Sequence, residues 1–176
     1  MLVATERLII RQFEPEDWQT ILDYTSDEHV MKYIPEGVLS GEGTKAFVND
    51  NLGEQAKNFP VLLSDDNIII GHLGFHPYFG EHTYEIGWVF NSNYYNQGYA
   101  SEAARAMLKY GFETLNLHRI IATCQPENIP SYRVMEKIGM RREGYFKQCI
   151  PHGNEWWDEY YYAILQEEWH ALAAEN

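Results

Sequence analysis

An α/β (α+β) layered fold, with a mixed sheet of about seven strands flanked by about four helices, is what this sequence predicts. Segments of alternating apolar residues and segments with apolar residues at three- and four-residue spacing succeed one another along the chain. Their order is strand, two helices, three strands, helix, strand, helix, two strands. Helices inserted between strands in this way pack as layers on a sheet. The length of 176 residues suits one domain spanning residues 1–176, and the 45% apolar share is ample for its core.

Arg7-Leu8-Ile9-Ile10-Arg11-Gln12-Phe13 reads as the first strand. Glu14-Pro15-Glu16-Asp17 then opens a helix that runs to about Tyr24. Proline is tolerated in a first turn because its missing N–H would have no partner there, and acids suit the positive end of the helix dipole. A second helix is expected over Glu42–Lys57, with Ala46, Phe47 and Leu52 as its apolar stripe, and the segment Asp27–Gly43 reads as irregular. Phe59–Ser64 and Ile68–Phe75 are strands joined by the turn signal Asp65-Asp66-Asn67, and Thr83–Asn91 is the next strand. Ala100–Thr114 is the clearest helix, because Ala104, Met107, Leu108, Gly111 and Phe112 fall on one face. His118–Gln125 is a strand. Asn128 is expected to cap a short helix with Pro130 in its first turn, ending before Gly139. Glu143–Ile150 and Trp156–Leu165 form the last strand pair around the turn Pro151-His152-Gly153-Asn154, and Gln166–Ala173 is a candidate terminal helix.

Charge and composition exclude several function classes. The net charge of -13 disfavours a nucleic-acid partner, since phosphate backbones call for basic faces. No run of about eighteen apolar residues exists to span a membrane, and no basic stretch leads into an apolar run near the N-terminus. The cysteines Cys124 and Cys149 stand alone, without metal-ligand spacing, so neither a disulfide framework nor a metal site is expected. A cytoplasmic location is the expectation. Within the acidic chain, Arg105, Lys109, Arg119, Arg133, Lys137, Arg141 and Arg142 outnumber Glu113, Glu127 and Glu136. That local excess is either a solvated face or a site for an anionic ligand.

The chemistry concentrates where the strand ending at Asn91 meets the long helix. A helix N-terminus presents unpaired N–H groups and a partial positive charge, and a glycine there lets phosphate oxygens reach the main chain. Asn96-Gln97-Gly98-Tyr99-Ala100-Ser101 therefore fits a diphosphate cradle, although a single glycine at such a junction is also an ordinary turn.

At this point the sequence resembles a known family. Tyr94-Tyr95-Asn96-Gln97-Gly98-Tyr99-Ala100-Ser101-Glu102-Ala103 is similar to the acetyl-coenzyme A loop of the GNAT N-acetyltransferases, and more narrowly of the RimJ/RimL-type branch that acetylates ribosomal-protein N-termini. Thr5-Glu6-Arg7-Leu8-Ile9-Ile10-Arg11, Glu85-Ile86-Gly87-Trp88, Leu117-His118-Arg119-Ile120, Glu127-Asn128-Ile129-Pro130-Ser131, Glu136-Lys137-Ile138-Gly139-Met140 and Glu143-Gly144 resemble that branch in order and spacing. The resemblance covers about residues 5–165. It implies a GNAT-like, mostly antiparallel sheet, acetyl-coenzyme A as co-substrate, no metal, an amine acceptor attacked directly without a covalent enzyme intermediate, and pairing into a homodimer. Three positions depart from the pattern. Tyr95 stands where Gln or Arg is usual, and Asn96 replaces an optional glycine. Met135 occupies the place where many members carry a tyrosine general acid, so that route is closed.

The resemblance assigns cofactor contacts to Trp88, Val89 and Phe90 on the strand, to the loop Tyr95–Ser101, and to Asn128, Ser131 and Lys137; Arg133 could join them at the nucleotide. Acetyl transfer needs a neutral amine, a polarised thioester carbonyl and a proton for the departing thiolate. An α-amino group, with a reference pKa near 8, needs only a modest base. Glu85 is the candidate base, equally readable as a strand-surface carboxylate, with His72, His76 and His82 in reserve. Main-chain N–H groups near Trp88 and Val89 would polarise the carbonyl. Ser131, the acid proposed for this branch, is also readable as a first-turn serine satisfying backbone groups, and Tyr132 ranks below it. The segment Met31-Lys32-Tyr33-Ile34-Pro35-Glu36 is expected beside the acceptor. Tyr33, Glu85 and Asp158 are its candidate contacts, with Tyr160 and Tyr162 further along the last strand. The acceptor itself is either a protein N-terminal α-amine or a small amine. A non-catalytic acetyl-coenzyme A sensor of the same fold is the alternative.

Overall fold

A computed structural model of the protein describes residues 2–174; the expected domain limits at 1 and 176 lie outside them. One sheet of eight strands runs in the order β1-β2-β3-β4-β5-β6-β8-β7. The strands are β1 Leu2–Ala4, β2 Leu8–Arg11, β3 Asn58–Leu63, β4 Ile69–Pro77, β5 Thr83–Phe90, β6 Arg119–Cys124, β7 Arg141–His152 and β8 Glu155–Leu165. The helices are α1 Trp18–Thr25, α2 Gly41–Asp50, α3 Tyr99–Lys109, α4 Ile129–Lys137 and α5 Gln166–Ala174. All neighbouring strands pair antiparallel except β5 and β6, which are parallel. The mixed, mostly antiparallel architecture is as expected. The additional strand is β1, whose three residues are too few to carry a readable alternation.

Each face of the sheet buries its own cluster. On one face Ile86, Phe90, Met107, Leu108, Phe112, Ile120, Met135 and Ile164 pack with residues of α3, α4 and α5. On the other, Phe13, Ile21, Tyr24, Val48, Leu62 and Ile69 pack under α1 and α2. Strand alternation sorts β5 between them. Tyr84, Ile86, Trp88 and Phe90 meet the first cluster, and Val89 meets the second.

The second helix ends earlier than its expected limit at Lys57. Asn51 closes it, because its Oδ1 accepts the N–H groups of Lys57 (3.0 Å) and Asn58 (2.8 Å) while its Nδ2 donates to Phe47 O (2.8 Å). Gly53, at φ +78°, turns the chain in a region that other residues avoid. The expected first helix starts instead as a 3₁₀ turn over Pro15–Asp17, and α3 finishes in a π-turn over Tyr110–Thr114.

Candidate active site

Parallel pairing of β5 with β6 lasts only from Thr83 to Glu85, opposite Arg119 to Ile121. Beyond Glu85, β5 stays paired with β4 as far as Phe90, but β6 is hydrogen-bonded to β8 alone. The two strands therefore part, and the β6-facing edge of β5 over residues 86–90 has no strand partner among the described residues. This wedge opens in the middle of the sheet, between the two helical layers.

At the end of β5 the chain passes through a short 3₁₀ turn, Ser92–Tyr94, into the loop before α3. Asn96 (φ +60°) and Gly98 (φ +81°) are both left-handed. Tyr95 N–H donates to Ser92 O (3.2 Å), and Glu102 N–H donates to Gly98 O (3.0 Å). None of the N–H groups between them, from Asn96 to Ser101, finds an acceptor among the described residues. An uninterrupted row of unpaired donors at the N-terminus of an eleven-residue helix is the physical form of an anion cradle. The cradle and the wedge lie at one end of the same strand.

A cleft of about 500 Å³ lies against β5 on the α1–α2 side. Its strand floor is His72, Gly74, His76, Glu85, Gly87, Trp88 and Val89; its opposite wall is Met31, Ile34, Pro35, Glu36, Leu39 and Phe47. The segment Met31–Glu36 thus borders the cleft, but Tyr33 does not line it. The Tyr33 hydroxyl instead donates to Glu127 O (3.1 Å), tying this segment to the loop before α4. That bond uses the phenol which the sequence assigns to the acceptor.

The Glu85 carboxylate accepts a hydrogen bond from Thr123 Oγ1 (3.2 Å) and lies 4.0 Å from His76 Nε2. Half-burial pushes the Glu159 carboxyl up; a Thr123 hydrogen bond works against that shift and the Glu85 charge adds to it. One hydroxyl carries one proton, so Thr123 serves only one of the two carboxylates at a time. Burial brings His72 down to about 4, which leaves its ring neutral at physiological pH. The ring shares a 2.7 Å hydrogen bond with the Tyr24 hydroxyl.

Asp158, the other expected acceptor contact, belongs elsewhere. Its carboxylate accepts hydrogen bonds from the Tyr145 hydroxyl and from Gln148 N–H (2.7 Å) on the β7–β8 hairpin. The parity of β8 separates the two sets: Glu159 and Tyr161 face the Glu85 side, whereas Tyr160 and Tyr162 line a separate arginine-bearing cavity beside α4. The sequence named the even positions of a strand whose odd positions lie toward Glu85. His82 is exposed, and its carbonyl accepts His118 N–H (3.0 Å) and Arg119 N–H (3.2 Å) where β5 and β6 begin to pair.

The remaining expected contacts divide. Trp88 and Val89 line the cleft, whereas the Phe90 side chain is 6% exposed within the first core cluster, which leaves only its backbone toward a ligand. Asn128 stands at the N-cap position of α4, but its amide makes no capping hydrogen bond; its carbonyl accepts Ser131 N–H (3.1 Å). Burial pushes the Cys124 thiol up to about 12, with the neighbouring Ser131 hydroxyl working against that shift. Thr123 and Cys124 are consecutive on β6, so Glu85 and Ser131 flank the end of that strand from opposite faces. Met135 is buried in the core at 1% exposure and offers no proton. Lys137 is exposed, and its carbonyl accepts Arg105 Nη2 (3.0 Å).

The local basic excess does not form one patch. Arg133 pairs with Glu136 (2.9 Å), Lys109 with Glu113 (3.9 Å), Arg119 with Glu143, and Arg141 with Glu143 and Glu168, while Arg142 stacks over Tyr160. Most of that excess is a solvated, paired face.

The parted strand pair beside a helix-terminal row of free donors suits an anionic, extended ligand, and the comparisons with known proteins give the family. The family model for the acetyltransferase (GNAT) domain matches residues 7–141. The chain belongs to this family and is an acetyl-coenzyme A-dependent N-acetyltransferase. It is 71% identical over 169 residues to the uncharacterized N-acetyltransferase YnaD of Bacillus subtilis (strain 168), covering 96% of this chain and 99% of that protein. A crystal structure of a GNAT-family acetyltransferase from Bacillus anthracis superimposes with a TM-score of 0.93 at 72% identity, covering 95% of this chain and 99% of that one. The [ribosomal protein uS5]-alanine N-acetyltransferase of Escherichia coli (strain K12) is 24% identical over 181 residues, covering 95% of this chain and 92% of that protein.

Proposed function

We propose that the chain transfers the acetyl group of acetyl-coenzyme A to the nitrogen of a primary amine by direct attack. The observation that carries this reading is the parting of β5 and β6 after Glu85, next to the unpaired N–H groups from Asn96 to Ser101. The diphosphate would sit on those donors, and the pantetheine arm would enter the wedge in place of the missing strand partner. Asn128, with an amide uncommitted to capping, would meet the arm there.

The amine would approach from the 500 Å³ cleft. Glu85, through water, would take the ammonium proton. The neutral nitrogen then forms a bond to the thioester carbon while free N–H groups of β5 hold the carbonyl oxygen. The C–S bond breaks, the Ser131 hydroxyl gives its proton to the thiolate, and the second proton, shed by the acylated nitrogen, restores that hydroxyl through solvent. Glu85 and Glu36 would hold the cation, while Met31, Ile34, Pro35, Leu39 and Phe47 would receive an apolar body. A confined cleft of this make-up favours a small amine over a protein N-terminus. A RimJ/RimL-type role on ribosomal proteins rests on the motif resemblance and on distant relatives at 24% identity. The unpaired thiols Cys124 and Cys149 suit a reducing, cytoplasmic setting.

The test is release of free thiol from acetyl-coenzyme A with a panel of small amines and of peptides with free N-termini. Amine-dependent release, faster with apolar monoamines than with peptides, is the expected outcome. Thiol release that no amine accelerates would refute the reading.

A further inference from the structure

The row of donors from Asn96 to Ser101 has no internal bonding of its own, and two of its residues are left-handed. Something outside the loop must hold its peptide planes. Among the described residues, one side chain bonds the main chain of residues 96–98: Arg7 Nη1 donates to Gln97 O (3.2 Å). Arg7 lies 90 residues away in sequence, just before β2.

The arginine is itself fixed. Its carbonyl accepts Ser64 N–H (2.9 Å), which ties it to the end of β3. Its Nε donates to Glu102 Oε2 (2.7 Å), and its Nη2 lies 2.5 Å from the same oxygen. Its guanidinium carbon stands 4.5 Å from the Tyr99 ring centre, over the first residue of α3. Thr5 Oγ1 adds a 2.6 Å hydrogen bond to Glu102 Oε1, and Arg7 N–H reaches that oxygen at 3.2 Å. Residues 5–7 and the first turn of α3 are thus joined by one carboxylate.

A trans peptide is planar, with its C=O and N–H pointing in opposite directions. Gln97 C=O and Gly98 N–H belong to the same plane. A carbonyl held toward Arg7 turns the Gly98 N–H away from Arg7, toward the open side of the loop. The same guanidinium neutralises Glu102, whose charge would otherwise repel an anion at the start of α3.

We infer that Arg7 is a positioning residue that sets the Gln97–Gly98 peptide for gripping the coenzyme A diphosphate. This rests on the proposed diphosphate cradle. The variants Arg7→Gln and Arg7→Lys separate it from a merely structural role. Lysine keeps a charge opposite Glu102, but a single nitrogen cannot bond both Glu102 and Gln97 O. Steady-state kinetics are compared for acetyl-coenzyme A and acetylpantetheine, which carries the same thioester arm without the nucleotide diphosphate. Both variants are expected to raise the KM for acetyl-coenzyme A about tenfold, the scale of one charged hydrogen bond, with a loss on acetylpantetheine at least fivefold smaller. Equal losses with the two donors, or an Arg7→Lys protein indistinguishable from wild type, would overturn the inference while leaving the cradle standing. A wild-type protein that uses both donors equally well would sink the cradle and the inference together.

Discussion

At the residue scale, the two proposed proton handlers occupy different settings. Glu85 stands beside Thr123, His76 and Glu159, in the cleft where an ammonium would bind. Ser131 stands on the α4 side, beside Cys124. Glu85→Gln is expected to lower the rate about a hundredfold, most steeply at low pH where the amine is protonated. Ser131→Ala is expected to lower kcat with little change in coenzyme A affinity. Steady-state rates across pH, with calorimetry for the cofactor, check both; a variant that matches wild type loses its role. His72 makes a separate prediction about stability. Its folded-state pKa of about 4 lies below the ordinary 6.5, so between these values the unfolded chain binds more protons. Folding stability is therefore lost as pH falls from about 6.5 to about 4, by at most about 3 kcal/mol. Urea midpoints at pH 7 and 4.5 should converge in His72→Gln relative to wild type. An unchanged acid loss in that variant would contradict the assignment. Single residues were unevenly legible in the sequence. Glu85 was readable because it precedes the Ile86-Gly87-Trp88 motif, whereas Thr123 and Glu159 carry no local signal. They matter only because β5, β6 and β8 lie side by side.

At the element scale, β5 does most of the positioning, and its register with β4 leaves no slack. Gly71 opposes Phe90, and a Cβ built there would stand 2.6 Å from Val89 O and 2.9 Å from Phe90 Cα. Both are main-chain atoms that cannot swing aside. Gly71→Ala is expected to push β5 from β4 at Val89–Phe90, cost about 1–3 kcal/mol of stability, and raise the KM for acetyl-coenzyme A. A thermal melt and a donor titration check it; a variant with wild-type values for both would show that the strands tolerate the added carbon. The long α3 and the strands were legible from their periodicity. The end of α2 was not, because it is set by Asn51 reaching Lys57 and Asn58 rather than by any break in apolar spacing. The cradle was legible for the converse reason. It is built from consecutive backbone groups, and Gly98 marks where they turn.

At the scale of the whole molecule, the site joins parts of the chain that are far apart in sequence. The segment before β2 braces the start of α3, the irregular segment between α1 and α2 walls the cleft, and Tyr33 ties that wall to the loop before α4. The acceptor side was the least readable for this reason, since its wall has no periodicity and its shape exists only after the sheet has formed. Everything else in the proposed reaction depends on the nucleotide being held at the mouth of α3. Isothermal calorimetry of the purified protein with coenzyme A and, separately, with pantetheine tests this most directly. Micromolar binding of coenzyme A with binding of pantetheine at least a hundredfold weaker is expected. Equal affinity for the two, or no heat from coenzyme A at millimolar concentration, would contradict it.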